Sequence, residues 1–241
     1  MCLKKQLKLL LNFLNNHMSN PIKPTIKTEL LSIIFVLIPA AFSFYFFKHF
    51  PHSVPIHWNI AGQPDNWGSP AFAAFFFPVL ILGIYLLLLF IPLLDPKRER
   101  YEQFKNVYHI FKTVIIAFMS LIYFATSLNV IGYNIPISSV MPIMVGILFV
   151  IIGNYMSKIK SNWFVGIRTP WTLSSEEAWN KTHRLGGKIF ILGGLLMASE
   201  AFVPLSWRMP IFISIIILIT VGTIGGSYII YLKEQKKNDD R

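Results

Sequence analysis

The stretch NWFVGIRTPWTLSSEEAWNKTHRLGGK, residues 162–188, is the longest polar interruption in the apolar second half of the chain. Aromatic rings alternate with cations along it: Trp163, Phe164, Arg168, Trp171, Trp179, Lys181, Arg184 and Lys188. This mixture suits the headgroup layer of a membrane, because an indole has an apolar body and a polar N–H. We therefore interpret the rest of the chain as the scaffold of this loop.

Local signals predict an ordered loop. Pro170 fixes its own φ and keeps the preceding residue out of the helical region, so residues 166–171 are predicted to form a fixed turn. A short helix is expected next, since Ser174 precedes Glu177 by the three residues of a capping box. The glycine pair at 186–187 is predicted to end that helix before the next apolar run.

The composition is that of a polytopic membrane protein. Of the 241 residues, 54% are hydrophobic and only 14% are charged, which is far outside the range of soluble domains. The single cysteine, Cys2, excludes an intrachain disulfide and a cysteine-based metal site. Two interpretations of Cys2 stay open: it has no role, or it is a site of acylation or oxidation.

Six apolar segments are long enough to cross a bilayer, which takes about 20 helical residues. They are residues 30–47, 71–94, 113–131, 137–156, 189–205 and 211–232. In the segment 189–205, small residues such as Gly193 and Gly194 predict close helix packing. The expected fold is an all-α bundle of six transmembrane helices.

The charges predict the orientation of this bundle. The net charge is +11, and all but two of the 22 Lys and Arg residues, Lys48 and Arg208, fall on one side. The positive-inside tendency makes that side cytoplasmic, with both termini inside. The charge therefore reflects topology, and no direct nucleic-acid partner is expected.

The predicted parts are a basic cytoplasmic segment 1–28, a four-helix membrane part 29–157 with an outer loop 48–70, a cytoplasmic loop 158–188, two further membrane helices 189–232 and a cytoplasmic tail 233–241.

Two interpretations of the N-terminal segment stay open. Leucines at helical spacing predict that residues 3–14 form a basic amphipathic helix on the inner leaflet. Alternatively, translation begins at Met18 and the preceding residues are not made.

The outer loop contains the first candidate site. Its histidines His49, His52 and His57 could bind zinc or sense protons, although their spacing is not that of paired zinc ligands. We favour a polar aromatic cap, which is also the surface that an external peptide would contact. The candidate ligand-facing residues are His57, Trp58, Asn59, Asp65 and Trp67.

Polar residues inside the predicted spans form a second set. Glu200 is the one acid deep in a predicted span, and such a group is expensive to bury, so it suggests a function; hydration near the outer end is the alternative explanation. Asn154, at the end of the fourth span, is the other intramembrane polar candidate. Nothing supplies a nucleophile, a metal-ligand set or a phosphate loop, so we expect neither an enzyme nor a cofactor.

The loop 166–188 resembles the signature of the SdpI family of bacterial membrane proteins. The matching loop residues are Gly166, Arg168, Thr169, Pro170, Trp171, Thr172, Leu173, Trp179 and Arg184, with Asn154 upstream. The likeness extends over residues 30–232. Within it, residues 51–70 resemble the Pro-x-x-x-Pro-x-x-Trp loop of the associated N-terminal domain of unknown function.

The resemblance implies a bacterial cell-membrane protein that gives immunity to a secreted antimicrobial toxin peptide. It also implies a receptor role, in which the protein holds a cytoplasmic transcriptional repressor at the membrane. Arg168 could bind an acidic partner, lipid phosphate or a backbone carbonyl at a helix end, or simply pin the loop to the fourth or fifth span. The alternative is a small transporter or channel regulator that uses Glu200, Asn129 and Asn154 as a path. Glu200→Gln would abolish movement of substrate in that case, whereas immunity would tolerate it.

Overall fold

The computed structural model describes residues 20–239. Cys2, the predicted surface helix 3–14, the alternative start Met18 and Arg241 lie outside the described residues. Within them, six helices are long and apolar enough to cross a membrane, which confirms the predicted number of spans. The N-in/C-in orientation stays a prediction.

The spanning helices alternate in direction, with two short 3-10 segments at Arg98–Phe104 and Glu200–Phe202 and one short helix in the central loop. In chain order the α-helices are α1 (Ile26–His49), α2 (Pro70–Leu94), α3 (Lys105–Val130), α4 (Ile137–Met156), the short α5 (Pro170–Ser174), α6 (Glu176–Ser199) and α7 (Leu205–Asp239). Helices α1, α2 and α3 pack together, and α6 packs between α4 and α7.

A β-hairpin connects α1 to α2 and adds a small sheet to the predicted all-α fold. Strands β1 (Val54–Trp58) and β2 (Pro64–Gly68) pair antiparallel with an irregular register. Prolines in both strands exclude a helix here, but a two-stranded ribbon has free edges that tolerate them. We call the end of the bundle with this hairpin the hairpin end, and the opposite end, with residues 157–175, the central-loop end.

Close packing of α4 on α6 explains the glycines of both helices. A Cβ at Gly146 would lie 2.5 Å from the carbonyl oxygen of Gly194, and one at Gly153 would lie 2.7 Å from that of Gly187. Only glycine permits such backbone contact between membrane helices. Gly193 makes room instead for a side chain, that of Ile219 on α7.

This packing overturns one sequence-based prediction. Gly186 and Gly187 do not end a short helix, because both are buried inside the continuous helix α6. The predicted boundary between residues 188 and 189 therefore falls within α6. The side chain that caps this helix belongs to Ser175, which accepts from the N–H of Ala178, and not to Ser174.

Helix α7 extends beyond the predicted span 211–232 at both ends. Residues 206–210, which lie between the two last predicted spans, are part of it. That helix continues to Asp239, so the described part of the polar tail 233–241 is helical. The third span begins earlier than residue 113, since α3 starts at Lys105 and buries Lys112.

Candidate functional site

The hairpin brings the five predicted ligand-facing residues together. His57 and Trp58 lie on β1, Asp65 and Trp67 lie on β2, and Asn59 opens the turn between them. Asn59 Oδ1 accepts hydrogen bonds from the N–H groups of residues 61 and 63, which fixes the turn. Its conformation also needs Gly62, whose φ is +74°.

The hairpin presents both a charged pair and an aromatic surface. His57 Nδ1 lies 2.5 Å from Asp65 Oδ1, and both side chains are largely exposed. Trp67 is 52% exposed, whereas Trp58 is half-buried and faces the bundle. The hairpin therefore has an outer face available to a partner and an inner face turned to the helices.

A cavity of about 960 Å³ lies under the hairpin, between the ends of five helices. Its walls are mostly apolar side chains from α2, α3, α4, α6 and α7. Trp58, His57 and Asp65 line it from the hairpin, and Glu200 lines it from the end of α6. The sequence reveals the residue types here but not that they surround one space.

Arg208 closes the helix ends beside this cavity. It is buried and donates to three carbonyl oxygens, those of Ser138 (2.5 Å), Ala201 (3.1 Å) and Val203 (3.0 Å). The sequence placed Arg208 on the side opposite most of the charges but did not suggest a structural role for it. Five N–H donors on a rigid fork let one arginine satisfy several helix-end carbonyls at once.

The candidate metal ligands do not come together. Across residues 20–239, no three His, Cys, Asp or Glu side chains are placed to hold one metal ion. His57 pairs with Asp65, and His49 Nδ1 lies 2.8 Å from the carbonyl oxygen of Tyr45.

At the central-loop end, most of the motif residues are used to build the loop. Thr169 and Thr172 form a reciprocal capping box around α5, with Pro170 in its first turn. Trp171 donates through Nε1 to Ser227 of α7, 2.9 Å away. Trp179 is fully buried and donates to the carbonyl oxygen of Ile159.

Gly166 packs closely against His183. His183 Nε2 accepts the N–H of Ile167 at 3.0 Å, and its Nδ1 lies 2.8 Å from the carbonyl oxygen of Trp179. An amide N–H can only donate and a carbonyl can only accept, so this imidazole is neutral with its proton on Nδ1. Gly166 has φ +115°, and a Cβ there would lie 2.3 Å from His183 Nε2.

Asp95 fastens the central loop to the end of α2. Its buried carboxylate accepts from the N–H of Trp163 (2.9 Å) and the hydroxyl of Tyr101 (3.0 Å). Asn162, also buried, accepts from the N–H groups of residues 164 and 165. Together these bonds join the two halves of the chain at one end of the bundle.

The remaining motif residues stay at the surface. Arg168 is exposed and donates to the carbonyl oxygen of Trp163, 2.5 Å away, so this bond lies within the loop itself. Arg184 is also exposed.

The intramembrane polar candidates are not brought together. Asn154 is exposed near the central-loop end of α4, whereas Glu200 is buried at the hairpin end. Asn129 donates to the carbonyl oxygen of Ile135 and so supports the α3–α4 turn. The described residues therefore do not line up the path on which the transporter alternative was based.

Sequence reasoning missed a buried ionic cluster between α1, α2 and α3. Lys112 Nζ lies 2.5 Å from Glu29 Oε1, His109 Nδ1 lies 3.3 Å from the same oxygen, and Tyr85 donates to Glu29 Oε2 at 2.9 Å. Lys112 lies directly before the predicted span 113–131, so the sequence places it outside the apolar segments. The apolar helical spacing of Val107, Tyr108 and Phe111 was the available signal that the helix begins earlier.

Comparisons with known proteins match both halves of the chain. Residues 158–230 match the model of the SdpI/YfhL protein family, and residues 34–82 match a domain of unknown function (DUF1648). The immunity protein SdpI of Bacillus subtilis (strain 168) is 26% identical over 207 residues, which are 86% of this chain and 97% of that protein. No solved structure matches the chain. These matches confirm the resemblance predicted from the loop residues.

Proposed function

We propose that this multi-pass membrane protein of the SdpI family protects a bacterial cell, from within its cytoplasmic membrane, against a secreted antimicrobial peptide. The observation that carries the proposal is the extent of the similarity. It covers 97% of the Bacillus subtilis immunity protein, so it includes the hairpin, the spans and the central loop together. A shared loop motif alone would not support a shared function.

The hairpin is the part that we assign to peptide contact. It combines an exposed indole, Trp67, with the exposed His57–Asp65 pair. Tryptophan is enriched among residues that dominate binding energy, because it buries a large rigid surface on contact. The predicted orientation would turn this hairpin outward, toward a peptide that arrives from outside the cell.

A receptor role for the central loop is the second part of the proposal. Trp163 is 48% exposed and Phe164 is 36% exposed, next to the cation of Arg168. An aromatic and basic surface of this kind suits either lipid headgroups or an acidic protein partner. We propose that it docks a cytoplasmic repressor when the peptide is bound.

Survival of a peptide-sensitive host tests the protective role. Cells that express the protein, challenged with a secreted sporulation-delaying type of peptide, are compared with cells that carry an empty vector. We expect survival only with the protein present. Equal killing of both, with the protein correctly inserted in the membrane, would contradict the proposal.

Two further assays separate the remaining roles. If the central loop holds a repressor, then Trp163→Ala releases the repressor into the soluble fraction while survival is unchanged. If the protein were instead a transporter, vesicles would take up substrate and Glu200→Gln would abolish that uptake.

A further inference from the structure

The cavity under the hairpin is large enough and apolar enough to hold a ligand. Its volume of about 960 Å³ lies at the upper end of the roughly 300–1,000 Å³ that is typical of small-molecule sites. The walls come from three parts of the chain that are distant in sequence: the hairpin with α2, the α3–α4 ends, and the α6–α7 ends. Because so many elements line this space, the cavity is a feature of the whole fold and not a packing defect between two helices.

Glu200 is the feature of this cavity that calls for a ligand. Its side chain is 2% exposed, and its Oε1 has no hydrogen-bond partner in the structure. A buried carboxylate in a membrane protein normally pairs with a cation or a set of donors, because desolvation of an unpaired charge is very unfavourable. The missing partner is therefore expected to come from outside residues 20–239.

The nearby arginine does not fill that role. Arg208 directs its Nε, Nη1 and Nη2 atoms to three carbonyl oxygens. Its donors hold the helix ends together, and none of them bonds Glu200 Oε1, although Glu200 is among the residues that line the cavity.

The charge of the lining specifies the sign of the ligand. None of the described residues that line the cavity is Lys or Arg, and the acids among them are Glu200 and Asp65. Asp65 is already paired with His57 at the mouth. The other polar side chains of the lining are hydroxyls, amides and an indole, none of them charged: Trp58, Asn59, Asn66, Tyr123, Thr126, Ser127 and Ser138. A cation is thus favoured near Glu200 and an apolar group is favoured elsewhere.

We propose that this cavity binds an amphiphilic cation, an apolar body that carries one primary ammonium or guanidinium group, and that this group pairs with Glu200. A charge-assisted hydrogen bond would satisfy Oε1, and the apolar body would fill the space against the ends of α2, α3 and α4. This binding site goes beyond the proposed protective function, which assigns the peptide to the outer face of the hairpin.

Calorimetric titration tests the site with simple probes. The full-length protein, in nanodiscs made only of phosphatidylcholine, is titrated with n-octylamine and separately with n-octanol, and heats from empty discs are subtracted to remove partition into lipid. We expect saturable binding of octylamine that is about tenfold tighter than that of octanol, because only the amine can pair with Glu200.

Three variants locate the binding. Glu200→Gln keeps the shape but removes the charge, so octylamine should bind it about tenfold more weakly while octanol is unaffected. Glu176→Gln, the same change at the central-loop end, is the matched control and should bind like the wild type. Met141→Trp fills the cavity and should abolish binding of both probes.

The source of the amine is identified by repeating the titration in discs that also contain phosphatidylethanolamine. Weaker octylamine binding there would mark the lipid headgroup as the natural occupant, and unchanged binding would mark a soluble molecule; both results retain the site. Equal affinity of wild type for octylamine and octanol would overturn the proposal, even if Glu200→Gln failed to fold. Equal octylamine binding by the wild type and a folded Glu200→Gln variant would overturn it as well.

Discussion

The two ends of the bundle use polar residues in opposite ways. At the central-loop end, Asp95, Asn162 and His183 are buried and each accepts hydrogen bonds from the backbone of the loop. At the hairpin end, Trp67 is exposed and Glu200 Oε1 is buried without a partner. Buried side chains at the central-loop end bond the backbone of the loop, although Thr182 Oγ1 there has no partner among residues 20–239. Glu200 at the hairpin end instead lines a cavity that a ligand could enter.

This difference distinguishes the residues of the sequence motif from the residues that are available to bind a partner. The residues that make the loop recognisable in the sequence are largely those that hold it together. The motif therefore indicates a fold and not a binding site. A buried polar group that is fully bonded specifies one conformation, and an unbonded one calls for a partner. The comparison therefore predicts that changes in the central loop reduce stability and that changes at the hairpin end reduce binding.

Gly166→Ala should produce the largest effect. The new Cβ would lie 2.3 Å from His183 Nε2, in a backbone conformation with φ +115°. Strain and steric overlap together should destabilise the protein by about 3 kcal/mol or more. Thermal unfolding of the purified protein, followed by the loss of its monodisperse elution peak, measures this.

Gly132→Ala is the matched control for that experiment. Gly132 also has positive φ, +103°, but a Cβ there has open space around it. It should therefore show only the backbone strain. Equal destabilisation by the two variants would show that steric overlap with His183 adds nothing to the backbone strain at residue 166.

His183→Leu should be the next most destabilising change. It removes the acceptor for the Ile167 N–H and the donor to the Trp179 carbonyl, and leaving such buried groups unsatisfied costs about 2 kcal/mol. Thermal unfolding is again the measurement. His183→Gln retains an acceptor and should recover part of the loss, and if it does not, the hydrogen bond is not the reason for the histidine.

Trp67→Ala should hardly affect stability. Its side chain is 52% exposed, and surface substitutions usually change the free energy of unfolding by less than about 0.5 kcal/mol. The same thermal assay checks this. A drop similar to that of His183→Leu would show that the hairpin is part of the structural core and would remove the contrast between the two ends.

Glu200→Gln should have the smallest effect on stability, and of the opposite sign. Replacing a buried carboxylate that lacks a partner at Oε1 with a neutral amide removes a desolvation penalty, so the unfolding temperature should be unchanged or higher. A lower unfolding temperature in discs without added ligand would show that the carboxylate already has a stabilising partner within the protein.

The sequence predicted the membrane architecture well because that architecture depends on local properties. Length and apolarity of single segments define a span, and all six were found in this way. The short helix and the break at the glycine pair 186–187 were wrong, since those glycines serve contact with α4 and not helix termination. Local signals cannot distinguish these two uses of glycine.

The site was less accessible to prediction, because its geometry depends on distant contacts. Glu29 and Lys112 meet across 83 residues, and the cavity is lined from the hairpin to α7. The importance of His183 had a local signal, since it follows Trp179 by one helical turn and shares its buried face. The sequence around Glu200 contained no comparable signal that this residue lines a cavity.

A matched pair of tryptophans gives the most direct test of the contrast between the ends. Trp67 at the hairpin end and Trp163 at the central-loop end are 52% and 48% exposed, so Trp67→Ala and Trp163→Ala remove similar surfaces. Survival of peptide-sensitive cells that express each variant at equal membrane abundance should fall to that of vector-only cells for Trp67→Ala and stay at the wild-type level for Trp163→Ala. The reverse result, with protection lost only in Trp163→Ala, would contradict the assignment of recognition to the hairpin.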